Sequence, residues 1–314
     1  MKNLKIIAVI LIAAIAILLF FIANDTNKPK NKKPIVAVTT FALYDITTHV
    51  AGDTVDIVHI LPFGVDPHSF EPTPQLMAQI EKSFLIIYSG AGLEPWVERF
   101  PFKARTIDMS KYVKLRHLEP NEHAHHEHHE HHDEDSAHNT TDPHYWLDFA
   151  NMQRATEIIT KELIRLLPQN KVYYEQNAKK YIEMLQKLDK AYRQRLASCK
   201  ADTVVVSHNA LGYLSHNYGF HVVSLTGLSP EAQPSAKDVT RIMEDIKKDG
   251  VSTIFFEHFA NDSVIKRIAK DAHIQLEVFQ PLGNITKDEA AAKLSYEDIM
   301  QQNLDKLSKA LMCN

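Results

Sequence analysis

Apolar and polar positions alternate along this chain in two successions of short β-branched runs separated by helical patterns. Ile35–Thr40 (IVAVTT) reads as a buried strand, followed by the helical stretch FALYDITTHVAG. Val55–Leu61 gives a second strand, a proline-rich turn covers Pro62–Pro74, and a helix runs from Pro74 to Glu81. Phe84–Ser89 is a third strand and Ala104–Asp108 a weaker fourth. Further on, Phe149–Leu167 carries helical periodicity that stops at Pro168. The strand pattern then repeats at Thr203–Ser207, Val222–Leu225, Val251–Glu257 and Ile274–Phe279. Helical segments separate these runs at 209–218, 234–249 and 260–272, and a closing helix covers about 288–311. Strands alternating with helices predict βαβ units and parallel sheets.

Between the two successions lies Asn170–Ser198, which contains neither Gly nor Pro. Tyr174, Ala178, Tyr181, Leu185, Leu188, Tyr192 and Leu196 recur there at spacings of three and four, the stripe of an amphipathic helix. At 1.5 Å per residue it would span ~45 Å, more than a crossover inside one small domain needs. The expected fold class is therefore α/β: two (β/α)4-type lobes with parallel sheets, joined by one long rigid helix. The N-terminal lobe is expected over 34–168, the linking helix over 169–199 and the C-terminal lobe over 200–314. In open sheets of this kind ligands bind at the carboxyl ends of the strands.

Two stretches do not fit this alternation. Two lysines precede an unbroken apolar run, Ile6–Ala23, so residues 1–24 read as a signal peptide or an N-terminal membrane anchor. Residues 25–33 form a polar tether, whose lysines oppose export by the positive-inside rule. No cysteine follows the run; the expectation is a protein of the periplasm or the outer face of the cytoplasmic membrane, and not a lipoprotein. The second stretch is the His-rich acidic loop 117–141. Nine of the 18 histidines lie between His117 and His138, interleaved with seven acidic residues. Imidazole is a common metal ligand, and this composition binds metal while building no core. His123, His125, His126, His128, His129, His131 and His132 are candidate auxiliary ligands.

Composition adds bounds. The 314 residues are 45% hydrophobic and 24% charged, ordinary for a globular chain, and the net charge of −4 argues against nucleic acid as a partner. Cys199 and Cys313 fit no zinc knuckle; in an oxidising compartment they can pair and tie the C-terminus to the second lobe, or remain two free thiols.

Three histidines sit where side chains can converge on a crevice. His68 follows the second strand, His144 lies in DPHYWLD before a helix, and His208 ends the fifth strand. Three imidazoles from distant segments are a usual way to hold zinc with one position left over. His49, His59, His216, His221, His258 and His273 fall inside or beside predicted elements and are assigned structural roles.

The segments PHSFEPTP, DPHYWLD, SHNALGYL and GLSPEAQPSAKD, with PLG after the eighth strand, resemble the ABC-transporter solute-binding proteins specific for zinc or manganese (cluster A-I). The resemblance is closest to the zinc-uptake, ZnuA-type members and covers residue 34 to the C-terminus. It implies two α/β lobes around a single helix with metal between them. It also implies that His68, His144 and His208 are the first three metal ligands. Manganese-type members usually carry Glu at the third position, so His208 favours Zn2+ over Mn2+. At the fourth position, where family members commonly read Asp-Pro-Leu-Gly, this chain has Gln280-Pro281-Leu282-Gly283. Some zinc members have Glu just before the first histidine; here it is Pro67. Water, Gln280, Glu257 or a tract histidine are the candidates for that position. Three neutral imidazoles leave the ion's charge unbalanced, so a carboxylate close behind them is expected from Glu257, Asp142 or Asp148.

The implied function is an extracytoplasmic zinc-binding protein, monomeric and not an enzyme, that delivers Zn2+ to an ABC permease and its cytoplasmic ATPase. Two alternatives stand beside it. One is a zinc hydrolase with a three-histidine zinc–water site, for which Glu257 is the only evident base and no HExxH is present. The other is a zinc buffer without a transporter.

Overall fold

A computed structural model describes residues 32–117, 141–228, 234–258 and 263–314. The apolar run Ile6–Ala23, most of the tether and the tract histidines His123, His125, His126, His128, His129, His131 and His132 lie outside the described residues. Pro34–Asn314 forms one compact unit. Among the described residues no helix is long and apolar enough to cross a membrane.

The first half is built from β1 (Ile35–Val38), α1 (Phe41–Ala51), β2 (Asp56–His59), α2 (Pro74–Ile80), β3 (Leu85–Tyr88) and β4 (Arg105–Asp108). Its strands form a wholly parallel sheet in the order β2-β1-β3-β4. A two-stranded antiparallel ribbon, β5 (Arg116–His117) with β6 (Thr141–Asp142), brackets the His-rich stretch. Then come α3 (Phe149–Leu166) and α4 (Lys171–Leu196). The second half comprises β7 (Thr203–His208), α5 (Gly212–Tyr218), β8 (His221–Thr226), α6 (Ala236–Asp249), β9 (Thr253–Phe256), α7 (Ser263–Ala272), β10 (Gln275–Val278), α8 (Lys287–Ala291) and α9 (Tyr296–Ala310). Its sheet is also parallel, in the order β10-β9-β7-β8. The expected α/β class with two four-stranded parallel sheets is the one found.

The inner strands are buried because helices cover both faces of a parallel sheet. Every residue of β7 is buried. The helix α4 buries the seven residues of the predicted stripe, Tyr174 through Leu196. Two of its tyrosines also reach across to neighbouring helices. Tyr181 donates to the Asp45 carboxylate of α1 (2.7 Å) and Tyr192 to the Met300 carbonyl of α9 (2.7 Å). The largest apolar core runs continuously from Val36 and Val38 of the first sheet, through α4, to Val204 and Val206 of the second.

Two expectations change in detail. The closing helix over 288–311 is two helices, because Lys293 adopts φ +56° and Ser295 with Asp298 forms a capping box that starts α9 afresh. Cys199 and Cys313 are paired in a disulfide, joining the end of the linking segment to the C-terminus.

Candidate metal centre

Two of the three candidate histidines are presented by the same local device, Asp-Pro-His. Proline fixes the backbone and the aspartate two residues upstream accepts the histidine N–H, an Asx-type turn. Asp66 Oδ1 accepts from the His68 amide at 3.0 Å, and Asp142 Oδ1 from the His144 amide at 3.0 Å. The third, His208, is the last residue of the central strand β7.

These turns place the rings together. Ring centroids are 5.3 Å apart for His68–His144, 5.7 Å for His68–His208 and 5.3 Å for His144–His208. One nitrogen of each lies within 4.8 Å of the others, a set of three that could hold one metal ion. His144 Nε2 and His208 Nε2 stand 3.4 Å apart. Two nitrogens at ~2.05 Å from one tetrahedral zinc would be separated by ~3.3 Å, so this pair already has the edge length of such a site.

The far side of each of these two rings is held by a carboxylate. Asp142 Oδ1 lies 2.8 Å from His144 Nδ1, and Glu257 Oε1 lies 2.5 Å from His208 Nδ1. At His144 the carboxylate hydrogen-bonds Nδ1, which fixes the proton there and turns the Nε2 lone pair to the centre, the arrangement that supports metal-ligating histidines; at His208 the Glu257 carboxylate stands at Nδ1 as an ion-pair contact. Burial, and then the neighbouring His144 and His208, hold the His68 pKa well below the usual imidazole value, so its ring is a neutral donor at pH 7. His208 behaves oppositely. Burial is the largest influence and lowers its pKa, but Glu257, helped by Asp66 and Asp142, outweighs it and raises the pKa overall.

The three rings line a small cavity of about 10 Å³, together with Asp66, Trp146 and Asn284. The loop after β10 closes one side of it. Trp146 Nε1 donates to the Pro281 carbonyl (2.6 Å), and Asn284 Nδ2 donates to the carbonyls of Pro62 (2.7 Å) and Val65 (2.8 Å) in the loop carrying His68. The crossing is close at Gly283, where a Cβ would lie 3.0 Å from the Pro67 ring and 3.3 Å from Trp146.

The structure brings His68, His144 and His208 together and does not bring Gln280 to them. Gln280 is buried elsewhere, its amide donating to Glu289 (2.9 Å) and its oxygen accepting from the Leu282 amide (3.4 Å). Glu257 is at the pocket, but its carboxylate faces the outer nitrogen of His208. Asp148 caps α3 and accepts from Asn217 instead. Of the histidines given structural roles, His49 bonds Asp45, whose side chain above all raises its pKa to about 9. His59 packs between Tyr44 and Phe63, and desolvation lowers its pKa to about 4. Sequence reasoning missed Asp66 and Asn284. The repeated Asp-Pro-His was the available signal for the first; nothing local in the sequence marks the second.

The family described as zinc-uptake complex component A, periplasmic (ZnuA), matches residues 36–310. The high-affinity zinc uptake system protein ZnuA of Bacillus subtilis (strain 168) is 34% identical over 308 residues, 96% of this chain and 96% of that protein. The zinc-binding lipoprotein AdcA of Streptococcus pneumoniae is 32% identical over 302 residues, 93% of this chain and 58% of AdcA. The crystal structure of the Zn(II)-bound ZnuA-like domain of S. pneumoniae AdcA aligns with a TM-score of 0.72 at 30% identity, over 89% of this chain and 99% of that one. These relatives correct the expected localisation. Proteins this similar are named lipoproteins, so the exclusion of a lipoprotein, drawn from the absence of a cysteine after the apolar run, is set aside. The match spans both sheets and all three histidines: the chain belongs to the ZnuA family of periplasmic zinc-uptake components.

Proposed function

We propose that this protein is the zinc-capturing component of an uptake system, holding Zn2+ on His68, His144 and His208 and passing it to an ABC permease driven by a cytoplasmic ATPase. The observation that carries this reading is the pair of buried imidazoles whose Nε2 atoms stand 3.4 Å apart while carboxylates occupy their Nδ1 sides. Family membership supports the transport role. Zinc is the cargo, bound and released unchanged. Neutral imidazole donors suit zinc better than manganese, and the carboxylates of Asp142 and Glu257 offset the ion's two charges without touching it.

The chain acts as a monomer, with an N-terminal lobe over 34–168, a linking helix over 169–199 and a C-terminal lobe over 200–314. The fourth coordination position is left to water, since Gln280 and Glu257 are both engaged. The same engagement of Glu257 disfavours the hydrolase alternative, because a carboxylate committed to orienting His208 is not a free base for activating water. The tract histidines, His123 to His132, form a second and weaker class of sites that collects zinc.

The test is a Zn2+ titration of residues 25–314 against a competing chelator. One tight site and several weak ones are expected. His68→Ala, His144→Ala or His208→Ala should abolish the tight site, and deletion of 121–138 should remove only the weak class. Mn2+ should bind weakly, and tight zinc binding should weaken as pH falls, because a ligating imidazole must be neutral; the raised pKa of His208 starts that loss above the ordinary imidazole value. Survival of the tight site in the histidine variants, or its loss with the deletion, would refute the assignment.

A further inference from the structure

We infer that Arg116 sets the strength and the lifetime of zinc binding by sharing the Asp142 carboxylate with His144. The inference rests on the reading of His144 as a zinc ligand. Arg116 and Asp142 are register partners across the β5–β6 ribbon. Asp142 is wholly buried, with one oxygen, Oδ1, on His144 Nδ1 at 2.8 Å and the other, Oδ2, 3.9 Å from Arg116 Nη1. The Arg116 side chain is itself only 20% exposed. Its placement is reinforced from α5, where the Tyr213 hydroxyl accepts from the Arg116 amide (2.9 Å) and donates to the Asp142 carbonyl (3.0 Å), with the guanidinium over the tyrosine ring. Gly212 leaves room for this, because a Cβ there would fall 2.3 Å from Arg116 Nη1 and 2.8 Å from Asp142 Oδ2.

Charge decides the sign of the effect. A zinc ion on three neutral imidazoles faces three carboxylates, Asp142 and Glu257 behind two of the rings and Asp66 in the pocket lining. Arg116 adds one positive charge to that balance. In the empty site it compensates the buried Asp142, which would otherwise be costly to keep ionised. In the loaded site it repels the cation and draws carboxylate density away from His144, weakening that ring as a donor. Arg116 therefore stabilises the empty state relative to the loaded one. A delivery protein needs this balance, since a site that binds too tightly cannot release. Arg116 is in this sense a positioning residue: it touches Asp142, not the metal.

The experiment compares native protein, Arg116→Gln and Arg116→Lys for zinc affinity by chelator competition and for release rate by stopped-flow transfer to a chromogenic chelator. Removing the charge in Arg116→Gln should tighten zinc by roughly tenfold and slow release correspondingly, a shift within the usual range for groups behind a metal ligand. Arg116→Lys, which keeps the charge, should stay near native affinity. The visible spectrum of the Co2+ form should keep its tetrahedral bands in both variants. A purely structural ion pair gives the opposite result, weaker binding in Arg116→Gln, and that outcome or no change overturns the inference. Should Arg116→Gln fail to fold, Arg116→Met, which retains the stem against Tyr213, carries the same expectation. His144→Ala run alongside separates the two levels: if it still binds zinc tightly, the zinc-site reading fails, and if it does not, the Arg116 results stand or fall alone.

Discussion

Glu94 is the group whose pH dependence the structure makes most explicit. It is buried at the carboxyl ends of β1 and β3, where Oε1 accepts from the Thr39 hydroxyl (2.5 Å) and the Ser89 amide (3.0 Å), and Oε2 from the Gly90 amide (2.9 Å). Desolvation outweighs these three donors and, with Asp108 adding in the same direction, pushes its pKa up to about 7 from the ordinary carboxylate value of 4.5. The folded protein thus binds a proton more tightly than the unfolded chain. Its contribution to stability is fully present below pH 4.5 and is lost as pH rises to 7 and beyond. The shift corresponds to about 3 kcal/mol across that window, at about 1.4 kcal/mol per pH unit. Glu94→Gln stays neutral and removes this dependence, at a constant cost for the backbone amide it no longer satisfies. Urea unfolding of native and variant metal-free protein between pH 4 and 8.5 gives the difference directly, and groups common to both cancel. The variant should gain about 3 kcal/mol on the native protein from the acid end to the alkaline end. A difference that stays constant with pH would show that Glu94 is ionised throughout and would refute the argument.

Two further outcomes follow from the supports of the histidines. Asp142→Asn and Glu257→Gln should each weaken zinc by about 10- to 100-fold in a calorimetric titration while leaving one site per chain, because each removes the carboxylate behind a ligand without removing the ligand. Asn284→Ala should lower unfolding stability by about 2–4 kcal/mol in urea melts, since it strips the donors from two carbonyls of the His68 loop, and should weaken zinc along with it.

Legibility in the sequence followed the range of the interaction. The α4 stripe was readable because all seven of its residues face one core at helical spacing, and the structure buries the same seven. The three histidines could be chosen because His208 ends a strand and His68 and His144 lie in the connections that lead from strands to helices, where topology directs side chains to a crevice. The break before α9 was hidden by AAAKLSYED, which keeps apolar periodicity and has neither Gly nor Pro; Ser295 and its capping box impose the stop. The β5–β6 ribbon is two residues a side, too short for any period to register. Glu257 was suspected, but which nitrogen of His208 it faces depends on packing between β7 and β9. The crossing at Gly283 and Asn284 joins residues more than 200 apart in the chain, and nothing local encodes it.

The disulfide has a topological consequence. Cys199 and Cys313 are separated by 114 positions, so the second sheet and its helices lie inside one covalent ring. Tension applied between the chain's two ends would pass from α4 through the bridge to Asn314 and bypass that ring. In single-molecule pulling the oxidised protein would fall short of full extension by roughly 400 Å, at about 3.5 Å per residue, and a reductant would restore that length. The second sheet, at whose strand ends His208 and Glu257 stand, is thereby shielded from force on the rest of the chain, while the loops bearing His68 and His144 are not.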